Sequence, residues 1–436
     1  MAEIRPFRGI RYTRVPGTGS NGAGDLALNL CPPFDVITPT LQKELYERSP
    51  YNMVRLELAR RGLSDDPYLS AAETQREWMK SGVLERDVEP SMYVMDETFQ
   101  FAGQSMIRRG FICAARLEEY DREVVLPHEN TRTEWVNDRV RLMGAAQANY
   151  SPLLMVYRDD LRSTVGGVLR AVSGGAPTVT ANPPDMSALR MWRVTDPGTQ
   201  QVLAQSLANS QLFIADGHHR YEAALRYRSL IRSGREVGHD ESINYRIVLL
   251  VSVDEPGLIT RGYHRYLENT SDAELDGVKA LIRNGCHLEQ WTPPSGSNEA
   301  VANAFMEALG SRQDSEVRFG VIGMEPGKFH IATGTNLPAV NNLLEDSEYS
   351  RLHELYINPA VDPDRRDTLI NVQHDLVRVL ESVQNGDAKL AFAMRPVPMK
   401  DFIGIVTRGW RLPPKATNFF PKPSAGVVLQ TLDGDI

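Results

Sequence analysis

Residues 212–225 read LFIADGHHRYEAAL, and this stretch decides how the rest of the chain is read. Four apolar residues, Leu212, Phe213, Ile214 and Ala215, have the character of a buried strand and end at Asp216. Gly217 supplies a tight turn, and a helical pattern opens at once on His218, His219 and Arg220. A strand–glycine–helix junction aims unpaired backbone N–H groups and the positive end of a helix dipole at whatever lies beyond it. A guanidinium and two imidazoles added there make a site suited to a phosphate. The same residues also fit a plainer reading, in which Asp216 caps a surface helix and Arg220 is solvated. Carboxylate, glycine, two imidazoles, guanidinium and phenol in six consecutive residues, at the C-terminal end of a strand, favour the site, because open α/β sheets place ligands there.

The chain has 436 residues, too many for one ordinary core, so two or three domains are expected. Forty-eight basic against 56 acidic side chains give a net charge of −8. That balance disfavours a nucleic-acid partner, which needs clustered cations. Cys31, Cys113 and Cys286 are far apart and form no CxxC pair, so neither a disulfide framework nor a thiolate zinc site is supported, and a role as small buried hydrophobes is expected. The N-terminus has no apolar signal core, and no stretch reaches the roughly 20 apolar residues of a membrane span. A cytoplasmic protein without membrane contact is expected; the oligomeric state stays open.

The patterning mixes hairpins with strand–helix units, which predicts an α+β or mixed α/β fold. A first strand is expected within residues 5–15, followed by a Gly/Asn-rich loop at 15–25. Two prolines keep NLCPPFDVI (29–37) extended. Helices are expected at 38–48, 71–81, 134–149, 299–309 and 398–406. A hairpin fills 91–118 around Ala102-Gly103-Gln104. SPLLMVY, YRIVLLVSV, RFGVIGM, KFHIATG, residues 389–394 and VVLQTL read as strands. The expected division is 1–90 as the N-terminal part of the core, 91–190 as a hairpin-rich subdomain, 191–270 as the signature region, and 271–436 as a C-terminal α/β part with a Lys/Phe tail.

Three further clusters carry chemistry. LPHENTRTEWVNDRVRLM (126–143) sets His128, Glu129 and Thr131 in a polar loop, with Asp138, Arg139 and Arg141 on the following helix. The His-Glu pair offers a general base or a magnesium carboxylate at Glu129, or equally a solvated loop paired with arginines. PPKATNFFPKP interleaves Lys415 and Lys422 with Phe419 and Phe420, which suits either a nucleotide or a packed surface lid. Asp35 follows two prolines, where rigid geometry presents a carboxylate or merely turns the chain. Chelation by His218 and His219 together is disfavoured, since neighbouring helical positions point about 100° apart. Walker A, GxSxG and strand-following GxGxxG motifs are absent, which argues against P-loop kinases and nicotinamide dehydrogenases.

The motifs PPFDVI (32–37), LPHENT (126–131) with DRVRLM (138–143), ANYSPLLMVYRDD (148–160), FIADGHHRYEAAL (213–225) and PKATNFFPK (414–422) lie in order along the chain. On them it is identified as a member of the family filed as domain of unknown function ten-fifteen. ADGHHRYEAA is also similar to the nucleotide-binding signature of the ParB/sulfiredoxin superfamily, which includes free serine kinase. That resemblance implies a ParB/sulfiredoxin-like core with additional mixed-sheet subdomains, and makes Gly217, His219 and Arg220 phosphate ligands. His218 stands where sulfiredoxin has its catalytic cysteine, which argues against sulfinic-acid reduction.

The expected activity is an ATP- or ADP-dependent small-molecule phosphotransferase with magnesium, acting on a free amino acid such as serine. Asp216, His218 and Glu129 are the candidate catalytic groups, and Gly217, His219, Arg220, Lys415 and Lys422 the nucleotide-binding ones. A ParB-like nucleotide-dependent scaffold and a metal-dependent phosphodiesterase or nuclease are the alternatives.

Overall fold

The hairpin expected at 91–118 forms the middle of a nine-stranded mixed sheet among the described residues. The computed structural model describes residues 2–13, 26–62, 64–159, 164–183, 186–310 and 316–436. The Gly/Asn-rich loop at 15–25 and Asp160 lie outside them. Strands Met92–Phe101 and Gln104–Arg116 join through Ala102 and Gly103, whose φ values of +48° and +75° are those of a two-residue hairpin turn. From Gln104–Arg116 the sheet continues through Tyr245–Ser252, Leu153–Tyr157 and Leu212–Asp216 to Val125–Pro127. On its other side it runs through Met92–Phe101 and Ala188–Val194 to Val179–Ala181. Parallel pairing occurs at Leu212–Asp216 with Val125–Pro127 and at Tyr245–Ser252 with Leu153–Tyr157. The remaining pairs are antiparallel, so the fold is mixed α/β as the patterning predicts.

Contacts divide the chain into two units, Met1–Ile259 with Pro421–Ile436, and Thr260–Phe420. Strands from 1–90, 91–190 and 191–270 all enter the first unit's sheet. Its central strands are buried on both faces, which is why they read as unbroken apolar runs rather than alternating ones. Leu153, Met155, Ile214, Val248 and Leu250 share one core with Tyr221, Ala224 and Leu225 of helix His218–Gly234 and with Val136 and Met143 of helix Thr133–Ala146. A second core gathers Leu45, Leu56, Trp78, Leu142 and Tyr150.

Several expected elements shift. The first strand is two short ones, Ile4–Arg5 and Ile10–Tyr12, with a bridge from Phe7 to Ser91 between them. The helix expected at 71–81 begins at Pro67, because the Asp66 carboxylate accepts from the N–H of Tyr68 and Leu69 and proline suits a first helical position. PPFDVI is not wholly extended: Phe34–Val36 forms a 3-10 turn. VVLQTL contributes only Gln430–Thr431, paired with Ala148–Asn149.

Among the described residues the second unit holds a six-stranded antiparallel sheet in the order Cys286–Trp291, Phe329–Gly334, Arg318–Ile322, Ala388–Ala393, His264–Glu268, Ile370–Gln373. Helices Asn298–Leu309 and Leu376–Asn385 cover it through Val301, Phe305, Val379 and Leu380. Two imidazoles in this unit, His264 buried and His353 half-buried, act as neutral acceptors. His264 Nδ1 takes the Met394 N–H at 3.1 Å, and His353 Nε2 takes the Arg265 Nε–H at 3.2 Å. Burial, then the charge of Arg265, pushes His264 down to about 3 and His353 down to about 4. The unfolded chain therefore takes up these protons first, so the stability they contribute is complete above the ordinary histidine value and is lost as pH falls below it. Urea unfolding from pH 7.5 to 5 is expected to show a loss on the order of 1 kcal/mol per pH unit per group below about pH 6.5. A flat profile in the wild type, or one unchanged in His264→Gln, contradicts this.

Among the described residues no helix is long and apolar enough to cross a membrane. All three cysteines are buried, as expected.

Candidate functional site

The parallel pairing of Val125–Pro127 with Leu212–Asp216 matches Pro127 to Ile214. The loop that starts at His128 and the junction at Gly217 therefore leave the sheet side by side. Strand Leu153–Tyr157 runs the other way and begins here, bringing Ser151 and Pro152 to the same end. Gly217 has φ +99° and ψ 28°, and helix His218–Gly234 starts directly after it. A Cβ at Gly217 would lie 2.6 Å from Leu153 Cδ2 and 2.9 Å from Arg220 Nη2, so both the backbone angle and the available space demand glycine.

Arg220 is 3% exposed. It donates from Nη1 to Ser151 Oγ (2.8 Å) and the Pro152 carbonyl (3.0 Å), and from Nη2 to Asp216 Oδ2 (2.8 Å). A buried guanidinium without a carboxylate is costly, and Asp216, four residues earlier, supplies one. Arg220 thus holds Asp216 in place; direct contact with a phosphate would require it to leave these partners. The Lys422 ammonium binds the other oxygen of Asp216 and lies 3.5 Å from Asp35 Oδ2. Asp35 Oδ1 is buried with no hydrogen-bond partner among the described residues. Two carboxylates thus share one ammonium, and one carboxylate oxygen still lacks a donor.

Arg139 braces the turn that carries Asp35. Its guanidinium lies over the Phe34 ring at 4.1 Å, donates from Nη1 to the Glu57 carbonyl (2.7 Å), and donates from Nε to Asp138 Oδ2 (2.7 Å). Asp138 also accepts from Tyr68 Oη. The Phe34 N–H donates to Glu57 Oε1 at 3.4 Å.

The two histidines pin the 128–132 loop to the first turn of the helix. The His128 N–H donates to His218 Nε2 (3.2 Å), and the Arg132 N–H donates to His219 Nε2 (3.0 Å). His128 turns its Nδ1 to the Ile214 carbonyl at 2.8 Å. His218 Nδ1 faces Glu129 Oε2 at 3.9 Å. One ligand atom from each of His128, Glu129 and His218 falls within 4.8 Å of the others, a set able to hold a metal ion. Trp135 packs against His219 at 4.9 Å and Phe34 at 6.0 Å, while Thr131 is half-buried in the loop.

Of the residues singled out in the sequence, Asp35, His128, Glu129, Thr131, Arg139, Asp216, Gly217, His218, His219, Arg220 and Lys422 all belong to the first unit. Lys415 belongs to the second, where its ammonium lies 5.6 Å from the Tyr263 ring and its carbonyl accepts from Arg265. In the same unit Phe419 packs on Phe402, and Phe420 lies under Arg261 at 3.5 Å. Sequence reasoning missed Glu57, Ser151 and Arg246. With Arg139 and Arg220 these line a buried cavity in which the space open to the centre of a water molecule is ≈ 20 Å³. Burial, then the nearby Arg220 charge, pushes the Arg246 guanidinium down to about 9. Ser151 lies inside the ANYSP motif, a signal that could have found it; Glu57 sits in an ordinary helical stretch with no signal of its own.

No curated protein matches the sequence. Among solved structures, a conserved hypothetical protein from Pyrococcus furiosus shares 12% identity, with 68% of this chain and 87% of that one covered and a TM-score of 0.32. Free serine kinase in complex with AMP shares 13% identity over 70% and 88% of the two chains, with a TM-score of 0.32. SbnI with a C-terminal truncation, from Staphylococcus aureus, shares 9% over 71% and 84%, also with a TM-score of 0.32. Likeness at this level assigns no activity and no residue correspondence. The family comparison is decisive in a different way: residues 4–349 match the family described as Protein of unknown function (DUF1015), and the chain belongs to that family.

Proposed function

We propose that this protein is an ATP- or ADP-dependent phosphotransferase acting on the hydroxyl of a small molecule, with free serine the first acceptor to test. The observation that carries this reading is the arrangement of Asp35, Asp216 and Lys422 beside the glycine-opened helix start. Phosphoryl transfer needs positioning and charge stabilisation more than covalent chemistry. Helix-start N–H groups and the Lys422 ammonium are suited to the terminal phosphates. Asp216 is occupied by Arg220 and Lys422, which makes it a poor base. Asp35 has one oxygen without a hydrogen-bond donor among the described residues and a long 3.5 Å contact to Lys422 at the other, and is the better general base. His219 sits at the same helix start, with its Nε2 already accepting from Arg132 N–H. A magnesium ion carried in with the nucleotide would take Glu129 as its one protein carboxylate, together with phosphate oxygens and water.

The test is a thermal-shift screen with ATP, ADP, CTP and GTP, followed by transfer of labelled phosphate to amino acids and hydroxy acids. Asp35→Asn is expected to lower kcat about 10²-fold or more while leaving the nucleotide Kd within a few-fold, as removal of a general base should. Equal turnover in Asp35→Asn refutes its role. Nucleotide-dependent stabilisation of the wild type without transfer to any acceptor would instead favour a nucleotide-binding scaffold.

A further inference from the structure

We propose that His128, Glu129 and His218 form a binding site for one divalent transition-metal ion, of the zinc or manganese class, at the shared end of strands Val125–Pro127 and Leu212–Asp216. The three side chains come from two distant segments, yet one ligand atom of each lies within 4.8 Å of the other two. Around an ion with bonds of about 2.0–2.2 Å, ligand atoms stand about 3–4 Å apart, so a modest closure completes the set. Glu129 is half-buried on a loop and can supply that closure, whereas both imidazoles are fixed by burial at 2% and 3% exposure.

The surroundings of His128 match what a metal-ligating histidine requires. His128 bonds the Ile214 carbonyl through Nδ1 at 2.8 Å, which puts the proton on Nδ1 and makes Nε2 the ligand nitrogen. The rings of His128 and His218 meet edge to face, with centroids 4.4 Å apart and planes at 87°. His218 Nε2 accepts the His128 N–H at 3.2 Å, and its Nδ1 faces Glu129. Coordination through Nδ1 moves the His218 proton from Nδ1 to Nε2 and releases the bond from His128 N–H. That leaves the His218 Nε2–H facing the His128 N–H, a donor–donor contact that the coordination bonds must outweigh. Two nitrogens and one oxygen suit zinc, manganese or iron; magnesium wants near-complete oxygen coordination, and only Glu129 offers it here. The assignment rests on ligand geometry and does not depend on the phosphotransfer reading.

The experiment uses the full chain stripped with EDTA and titrated calorimetrically with Zn²⁺, Mn²⁺ or Mg²⁺ alone. One equivalent of Zn²⁺ or Mn²⁺ is expected to bind about 100-fold or more tighter than Mg²⁺. Glu129→Gln and His218→Gln should each weaken that binding about 10-fold or more. Co²⁺ substitution should give visible d–d bands in the wild type that are lost in Glu129→Gln, a readout independent of turnover. Absence of stoichiometric binding, a preference for Mg²⁺, or unchanged affinity in both variants overturns the site. An ADP thermal shift measured with Mg²⁺ as the sole added metal tests the nucleotide reading separately, so either can fail while the other stands.

Discussion

Replacement of Asp216 by alanine is expected to destabilise the first unit by about 3–5 kcal/mol, because it strands a buried charge. Arg220 is 3% exposed and has Asp216 as its carboxylate partner. Its other acceptors, Ser151 Oγ and the Pro152 carbonyl, are neutral and cannot balance the guanidinium. Lys422 loses the same carboxylate but keeps Asp35 within 3.5 Å and is partly exposed, so it contributes little to the deficit. Asp216→Asn retains an acceptor and should cost less. Combining Asp216→Ala with Arg220→Met removes the stranded charge and should recover much of the loss, the non-additivity expected of directly paired groups. Urea unfolding of the wild type, Asp216→Ala, Arg220→Met and the double variant decides it: a loss in Asp216→Ala below about 1 kcal/mol, or simple additivity, would show that the pair does not carry this load.

Gly217→Ala is expected to cost about 2–4 kcal/mol and to abolish nucleotide-dependent stabilisation. Left-handed backbone at φ +99° costs an L-residue about 1–2 kcal/mol, and forcing a methyl into an occupied space adds about 1–3 kcal/mol. The methyl would meet Leu153 Cδ2 at 2.6 Å and Arg220 Nη2 at 2.9 Å, pressing the guanidinium away from Asp216. Gly103 gives a matched control. Its φ is +75°, but nothing lies within 4 Å of a methyl added there, so Gly103→Ala should show the backbone cost alone, about 1 kcal/mol. Similar losses in the two variants would show that crowding at the junction is unimportant.

Local chemistry was readable in the sequence wherever a residue acts on its near neighbours. Asp216-Gly217-His218 announced a strand end, a tight turn and a helix start, and all three are present, the turn with a left-handed glycine. Ala102-Gly103 announced the hairpin turn, and helix Asn298–Leu309 followed from the spacing of Val301, Phe305 and Leu309. The partners of the site were not readable, because they are separated by long loops of chain. Lys422 reaches Asp216 across 206 positions, and His218 reaches His128 across 90. Arg220 was expected to face a ligand on the strength of its position; its burial against Asp216 follows from strand Leu153–Tyr157 arriving antiparallel beside it, which one-dimensional periodicity does not encode. Lys415 and Lys422 looked equivalent in one Phe/Lys tail, yet the unit boundary at Phe420 and Pro421 separates them.

The first unit is discontinuous: residues Thr260–Phe420 are inserted between its main body and the segment Pro421–Ile436. That closing segment supplies Lys422 and also Gln430, whose side chain accepts from the N–H of Ile247 and from Asn149. On a ribosome, the main body emerges long before these residues are made. The nine-stranded sheet is therefore made in full while Asp35 and Asp216 still lack the ammonium they share, which arrives only after the inserted unit has been synthesised.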